Sequence, residues 1–130
     1  MDTRHAAAMG TNQIANRLVS LCRAGKYEEA QRELYADDAA SVEMPAMAGS
    51  PMGNVEGLAA ILDKGKRWGD TIVEVHGAAV SEPLVAGDWF AVAMSIDATY
   101  KDRGRVPMQE ICVYRVRDGK IVHEQFFYDA

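Results

Sequence analysis

Three side chains near the C-terminal end could move protons. Glu110, Glu124 and Tyr128 lie in "VPMQEICVYRVRDGKIVHEQFFYDA", which reads as a strand, a tight turn and a second strand. Two carboxyls in apolar surroundings cannot both ionise cheaply, so one would hold its proton towards neutral pH. Such a pair is the raw material for the proton shuttling of an isomerase, cyclase or dehydratase. A phenol such as Tyr128 or Tyr114 could donate to a substrate carbonyl.

Whether these groups share a face depends on the hairpin register, because strand side chains alternate. A two-residue loop at Asp118-Gly119 puts Glu110, Cys112 and Tyr114 with His123, Gln125 and Phe127. A three-residue loop, Arg117-Asp118-Gly119 with a left-handed glycine, puts them with Val122, Glu124, Phe126 and Tyr128. The second is favoured, since glycine suits the last loop position. It would set Cys112 opposite Glu124 and Glu110 opposite Phe126, making the two carboxyls diagonal neighbours.

Plainer readings stand beside this one. A strand glutamate is commonly solvated, and Cys112 suits a core better than a nucleophile. His76 and His123 sit next to polar residues of the opposite strand face. With His5 they form no metal-ligating spacing, so no metal site is expected. No phosphate-cradling glycine loop occurs, and no cofactor is expected.

The elements that must position these groups are legible from periodicity. Ile14, Leu18, Leu21 and Cys22 recur at helical spacing after Thr11 or Asn12, and Gly25 stops that helix. "KYEEAQRELYADDA" reads as a second helix with Tyr27, Ala30 and Leu34 on one side. "ASVEMP" is a short strand ended by Pro45, and "AMAGSPMGN" a loop. From Val55 a third helix carries Leu58, Ile61, Leu62, Gly65 and Trp68. Four strands follow: "TIVEVHGAAVSE", bent or bulged at Gly77, then "WFAVAMSIDATY" and the two strands of the last hairpin.

In the long strand Phe90, Val92, Met94, Ile96, Ala98 and Tyr100 form one apolar face. The other face, Trp89, Ala91, Ala93, Ser95, Asp97 and Thr99, is small and mildly apolar, which suits sheet contact in a homodimer. Helices followed by strands predict an α+β fold, with helices over one face of an antiparallel sheet.

The chain has 130 residues, 48% of them apolar, and a formal charge of −5. That is one domain with a sizeable core. Scattered Lys and Arg disfavour nucleic acid and anionic membrane surfaces as partners. Cys22 and Cys112 are expected as free thiols. Residues 1–10 read as a ragged leader with no signal-peptide core, and a cytoplasmic protein is expected.

Three stretches carry a family resemblance: "LYADDAASVEMP", "EVHGAAVSEPLVAGDWFAV" and "VYRVRDGKIVHEQFFYD". They resemble the SnoaL-like branch of the nuclear transport factor 2-like superfamily, over roughly residues 11–129. The resemblance implies a cone: a strongly curved sheet around a pocket, closed by the helices, in one domain over 11–130. It also implies that Glu124, Phe126 and Tyr128 line the pocket, and that the protein forms dimers.

The superfamily includes ketosteroid isomerases, polyketide cyclases and dehydratases as well as non-catalytic members. The positions matching the isomerase base and its two oxyanion donors are Met44, Cys112 and Leu18 here. None can take or give a proton at neutral pH in that way, so that mechanism is not expected. The expected pocket lining is Leu18, Met44, Met94, Ile96, Met108, Cys112, Tyr114 and Phe126. The expected function is binding of a small apolar molecule, with cofactor-free acid/base chemistry at Glu110, Glu124 and Tyr128. The alternative is a non-catalytic ligand carrier or dimeric scaffold.

Overall fold

The structure is a computed structural model and describes residues 9–129; most of the leader expected over 1–10 lies outside the described residues. Helix α1 spans Thr11–Arg23. Its N-cap is Gly10, one residue before the expected caps, and Gln13 Oε1 accepts the Gly10 N–H at 3.0 Å. Gly25, at φ 74°, turns the chain out of the helix. Helix α2 covers only Tyr27–Leu34, and the chain passes directly into strand β1, Tyr35–Val42. The expected second helix therefore ends earlier and the strand starts earlier. In β1 the odd positions Tyr35, Ala39 and Ser41 are buried, a strand period that overrides helix propensity.

A loop leads to strand β2, Val55–Glu56, and helix α3, Leu58–Asp70. The helix expected from Val55 begins only after Gly57, whose φ of 94° breaks the strand. The remaining strands are β3 (Ile72–Val80), β4 (Leu84–Ala86), β5 (Trp89–Tyr100), β6 (Gly104–Arg117) and β7 (Lys120–Phe127). They number five rather than four, since β4 forms a short ladder on β5.

The sheet order is β2-β1-β7-β6-β5-β3, with β4 beside β5. All ladders are antiparallel except β1 on β7, which is parallel, a correction to the purely antiparallel expectation. The helices lie over one face: α1 against β3, β4 and β5, and α3 against β1, β2 and β3. The fold is thus the α+β cone. Its core joins Ile14, Leu18 and Leu21 of α1 to Phe90, Val92 and Met94 of β5 and to Cys112 and Tyr114 of β6.

The last hairpin differs from expectation in its turn. Asp118 and Gly119 both have positive φ, 51° and 75°, and Arg117 pairs with Lys120. This is a two-residue loop of the type that matches the twist of a hairpin. By itself it would turn Glu124 outward. A bulge cancels the change: Val116 pairs with Ile121 but Arg115 pairs with His123, leaving Val122 as the extra residue. Glu124, Phe126 and Tyr128 are returned to the face of Glu110, Cys112 and Tyr114. The register is two residues away from the expected one: Tyr114 faces Glu124 and Cys112 faces Phe126. Glu110 and Glu124 are therefore not diagonal neighbours.

Candidate active site

The polar interior of the cone gathers at the seam of β1 and β7, beneath α3. Its centre is Lys64, buried on the inner face of α3. Its ammonium donates to Ser41 Oγ at 2.8 Å, to Glu43 Oε2 at 2.9 Å and to the Gly53 carbonyl at 3.1 Å. These use all three N–H donors. Glu43 in turn accepts the Tyr128 hydroxyl at 2.7 Å through Oε1. The Phe126 ring lies under the ammonium, 5.6 Å from its centroid.

Glu124 stands next to Ser41 in the parallel ladder and is 3% exposed. It accepts a hydrogen bond from the Tyr35 hydroxyl. Burial raises its pKa; Tyr35, Ser41 and Lys64 oppose that, favouring the ionised form. Tyr35 is held well above the usual phenol range by burial and by the Glu124 charge. These bonds occupy Glu124 with the protein's own donors.

Glu110 is placed differently. It sits on β6 opposite Met94 of β5, two positions before Cys112. Burial pushes its carboxyl up to about 7; the Cys112 thiol, donating at 3.4 Å, holds it down somewhat, and the Glu43 and Glu124 charges push it further up. No cation is bonded to it among the described residues. Tyr128 is pushed up to about 12, first by burial and then by the Glu43 carboxylate on its hydroxyl.

The expected lining residues divide. Leu18, Cys112 and Tyr114 fill the solid core, Tyr114 stacking on Phe90 at 4.8 Å, and Met94 is nearly buried beside them. Phe126 lies half-buried under Lys64, and Met44 starts the loop after β1. Ile96, paired with Met108, borders a cavity of about 250 Å³ at the open end of the cone. Cys22 and Cys112 are both free and buried, and burial pushes the Cys22 thiol up to about 12.

Four polar members of the seam escaped the sequence reading: Tyr35, Ser41, Glu43 and Lys64. Lys64 falls three residues after Ile61 and four before Trp68, within the apolar stripe read for α3. Its place in that stripe was the available signal. Ser41 lies on the buried odd period of β1, and Glu43 follows one residue past the strand's end.

A second and larger hollow, about 600 Å³, lies over the sheet's outer face and is bordered by outward side chains such as Ala79, Ala93, Ser95, Ile111 and Phe127. Glu110 borders it as part of the strand, while its carboxyl reaches the Cys112 thiol on the inner side.

Comparison with known proteins fits this architecture. A SnoaL-like protein from Mesorhizobium loti, whose name places it with polyketide cyclases, is 37% identical. It superposes with a TM-score of 0.85, over 92% of this chain and 100% of that one. An NTF2-like protein from Burkholderia thailandensis shares the fold at 21% identity and TM-score 0.77, over 93% and 92% of the two chains. TerC, co-crystallized with polyporic acid, shares it at 19% identity and TM-score 0.72, over 92% of each. No curated protein matches the chain in sequence. The SnoaL-like domain model matches residues 9–128, nearly the whole chain, and the protein belongs to that family.

Proposed function

We propose that the cone binds a small, mostly apolar carbonyl compound and catalyses a cofactor-free proton transfer on it, with Glu110 as the acid/base. One observation carries this reading. Glu110 is a partly buried carboxyl that accepts the Cys112 thiol at 3.4 Å on the inner side, with no cation bonded to it among the described residues, and its desolvation pushes it up to about 7. A base poised there is half-ionised at neutral pH, where general catalysis works best. As carboxylate it removes a proton from the carbon next to the carbonyl; as carboxylic acid it returns that proton to another atom of the same molecule. No external oxidant, reductant or nucleophile is needed.

The other two candidates take supporting parts. Tyr128 donates its one O–H to Glu43 and so holds that carboxylate in place against Lys64. Glu124, enclosed by Tyr35 and Ser41, fixes the β1–β7 seam and contributes negative charge that helps keep Glu110 protonated.

The reading is tested by washout of α-protons from simple aryl ketones in D2O, followed by proton NMR. The wild-type protein should accelerate exchange, and Glu110→Gln should lose roughly 10²–10⁴-fold of that rate. Ketone binding without exchange above the buffer rate would overturn the catalytic reading in favour of a ligand carrier.

A further inference from the structure

The open end of the cone carries a built cavity. Strand β3 forms one wall, and its two irregularities are decisive. Ile72 pairs with Tyr100, Val75 with Ala98, Ala78 with Ile96 and Val80 with Met94, with register shifts before and after Val75. A regular strand would alternate these side chains between faces. The extra residues instead turn Ile72, Val75, Ala78 and Val80 all to the inner face, beside the apolar row of β5. Val75 is nonetheless 53% exposed, because the helices do not cover this end.

Opposite this wall stand Tyr27 at the start of α2 and Trp68 near the end of α3. Their rings meet edge to face, centroids 6.5 Å apart at 84°. The volume between is about 250 Å³, bounded by Ile72, Val75, Ala78 and Ile96 from the sheet. This lies below the usual range for drug-sized ligands, about 300–1,000 Å³, and equals the bulk volume of roughly eight waters.

Two charges set the polarity of the occupant. Arg23 at the rim is already engaged: its Nε and Nη2 donate to the Val80 carbonyl at 3.1 and 2.9 Å, and Nη2 to Glu82 at 3.0 Å. An anionic group would find no free cation there. Inward of Ile96, the next inner positions are Met94 and its partner Glu110. The Tyr27 hydroxyl belongs to the same interior: burial, then the Cys22 and Glu110 charges, raise its pKa. No other group holds that hydroxyl among the described residues. The cavity is therefore apolar and aromatic, with the Tyr27 hydroxyl as its free hydrogen-bonding group; Met94 and Glu110 lie one row beyond its lining.

We propose that this cavity is the specificity pocket for a neutral one- or two-ring aromatic carbonyl compound. The ring packs against Trp68 and the apolar wall of β3, and the carbonyl accepts from the Tyr27 hydroxyl. Four-ring compounds are excluded by size. The proposal deepens the acid/base reading and depends on it only for the carbonyl; its test reads binding alone.

Trp89→Phe leaves Trp68 as the one tryptophan, since the chain has two. Fluorescence titration of that variant with acetophenone and tetralone should give saturable quenching, and estrone should give none. Adding Ala78→Phe, which fills the cavity from β3, should weaken tetralone binding by about tenfold or more. Methyl NMR of Ile72 and Ile96 provides a readout without a variant: tetralone should shift both. Estrone binding as tightly as tetralone, no quenching by either small ketone, or unshifted Ile72 and Ile96 methyls would each overturn the proposal. Estrone binding would do so while leaving the proton-transfer reading intact. Binding of tetralone without exchange would do the reverse.

Discussion

Glu110 and Glu124 are the same residue type on neighbouring strands, and their surroundings separate them. Glu124 has Tyr35 and Ser41 as close partners and Lys64 nearby. Glu110 has a thiol. Its carboxyl, raised from 4.5 to about 7, binds a proton in the folded protein that it releases when unfolded. Over that window the folded state holds more protons, so the contribution of this group to stability falls as pH rises. It is most favourable below the unfolded value and is lost through the folded one, for a total of about 3 kcal/mol. Glu110→Gln should abolish this dependence. Urea midpoints of the wild type should decline from pH 5 to 8 relative to the variant; parallel curves would contradict the raised pKa.

The inward placement of Glu110 was legible in the sequence because strand alternation is local. The Lys64 hub was not. A lysine in an apolar helical stripe is ordinarily assigned to solvent, and only the fold shows that Ser41, Glu43 and Gly53 converge on it.

At the scale of elements, the helical stripes of α1 and α3 and the alternation of β5 were all readable, because each is a long periodic segment. Strands β2 and β4 were missed. With two and three residues they have no period to detect, and partners in the sheet define them. The parallel contact of β1 with β7 joins segments about 85 residues apart, a distance over which local pattern is silent.

The hairpin shows two local errors cancelling. Gly119 needs φ above zero in either loop, so its presence could not choose between them. Asp118 can, since only the two-residue turn places it at positive φ, here 51°. Asp118→Gly should accordingly be as stable as wild type or more so. Asp118→Val should lose roughly 1–2 kcal/mol, the cost of a branched residue in the left-handed region. Chemical denaturation of both variants measures this. A destabilised Asp118→Gly with a neutral Asp118→Val would point back to the three-residue loop.

For the whole molecule, the outer face of the sheet matters most. The helices cover the inner face only, and the outer one carries large apolar side chains in the open: Ile111 is 52% exposed, Trp89 and Phe127 43% each. Between them Ala79, Ala93 and Ser95 leave a shallow hollow of about 600 Å³. Protruding Ile111 and Phe127 beside a hollow of small residues on the same face make a self-complementary surface, which a two-fold axis requires. The charges near the patch are engaged: Arg115 lies over the Trp89 ring, 5.5 Å from its centroid, and Arg105 is paired with Asp97. A patch of this character on a single copy is unusual for a monomer. The protein is therefore expected to be a homodimer through this face, burying at least about 1,000 Å² in total. Light scattering at micromolar concentration should give twice the chain mass. Ile111→Arg, which sets two cations against each other across the axis, should give the monomer mass with the helical circular dichroism unchanged. The Glu110 carboxyl lies on the inner side of that same strand, one residue from Ile111, so dimerisation would stiffen the wall on which the acid/base sits. The monomeric variant should then still bind tetralone but exchange its α-protons more slowly. A monomeric wild type, or an Ile111→Arg dimer, would remove this face from consideration.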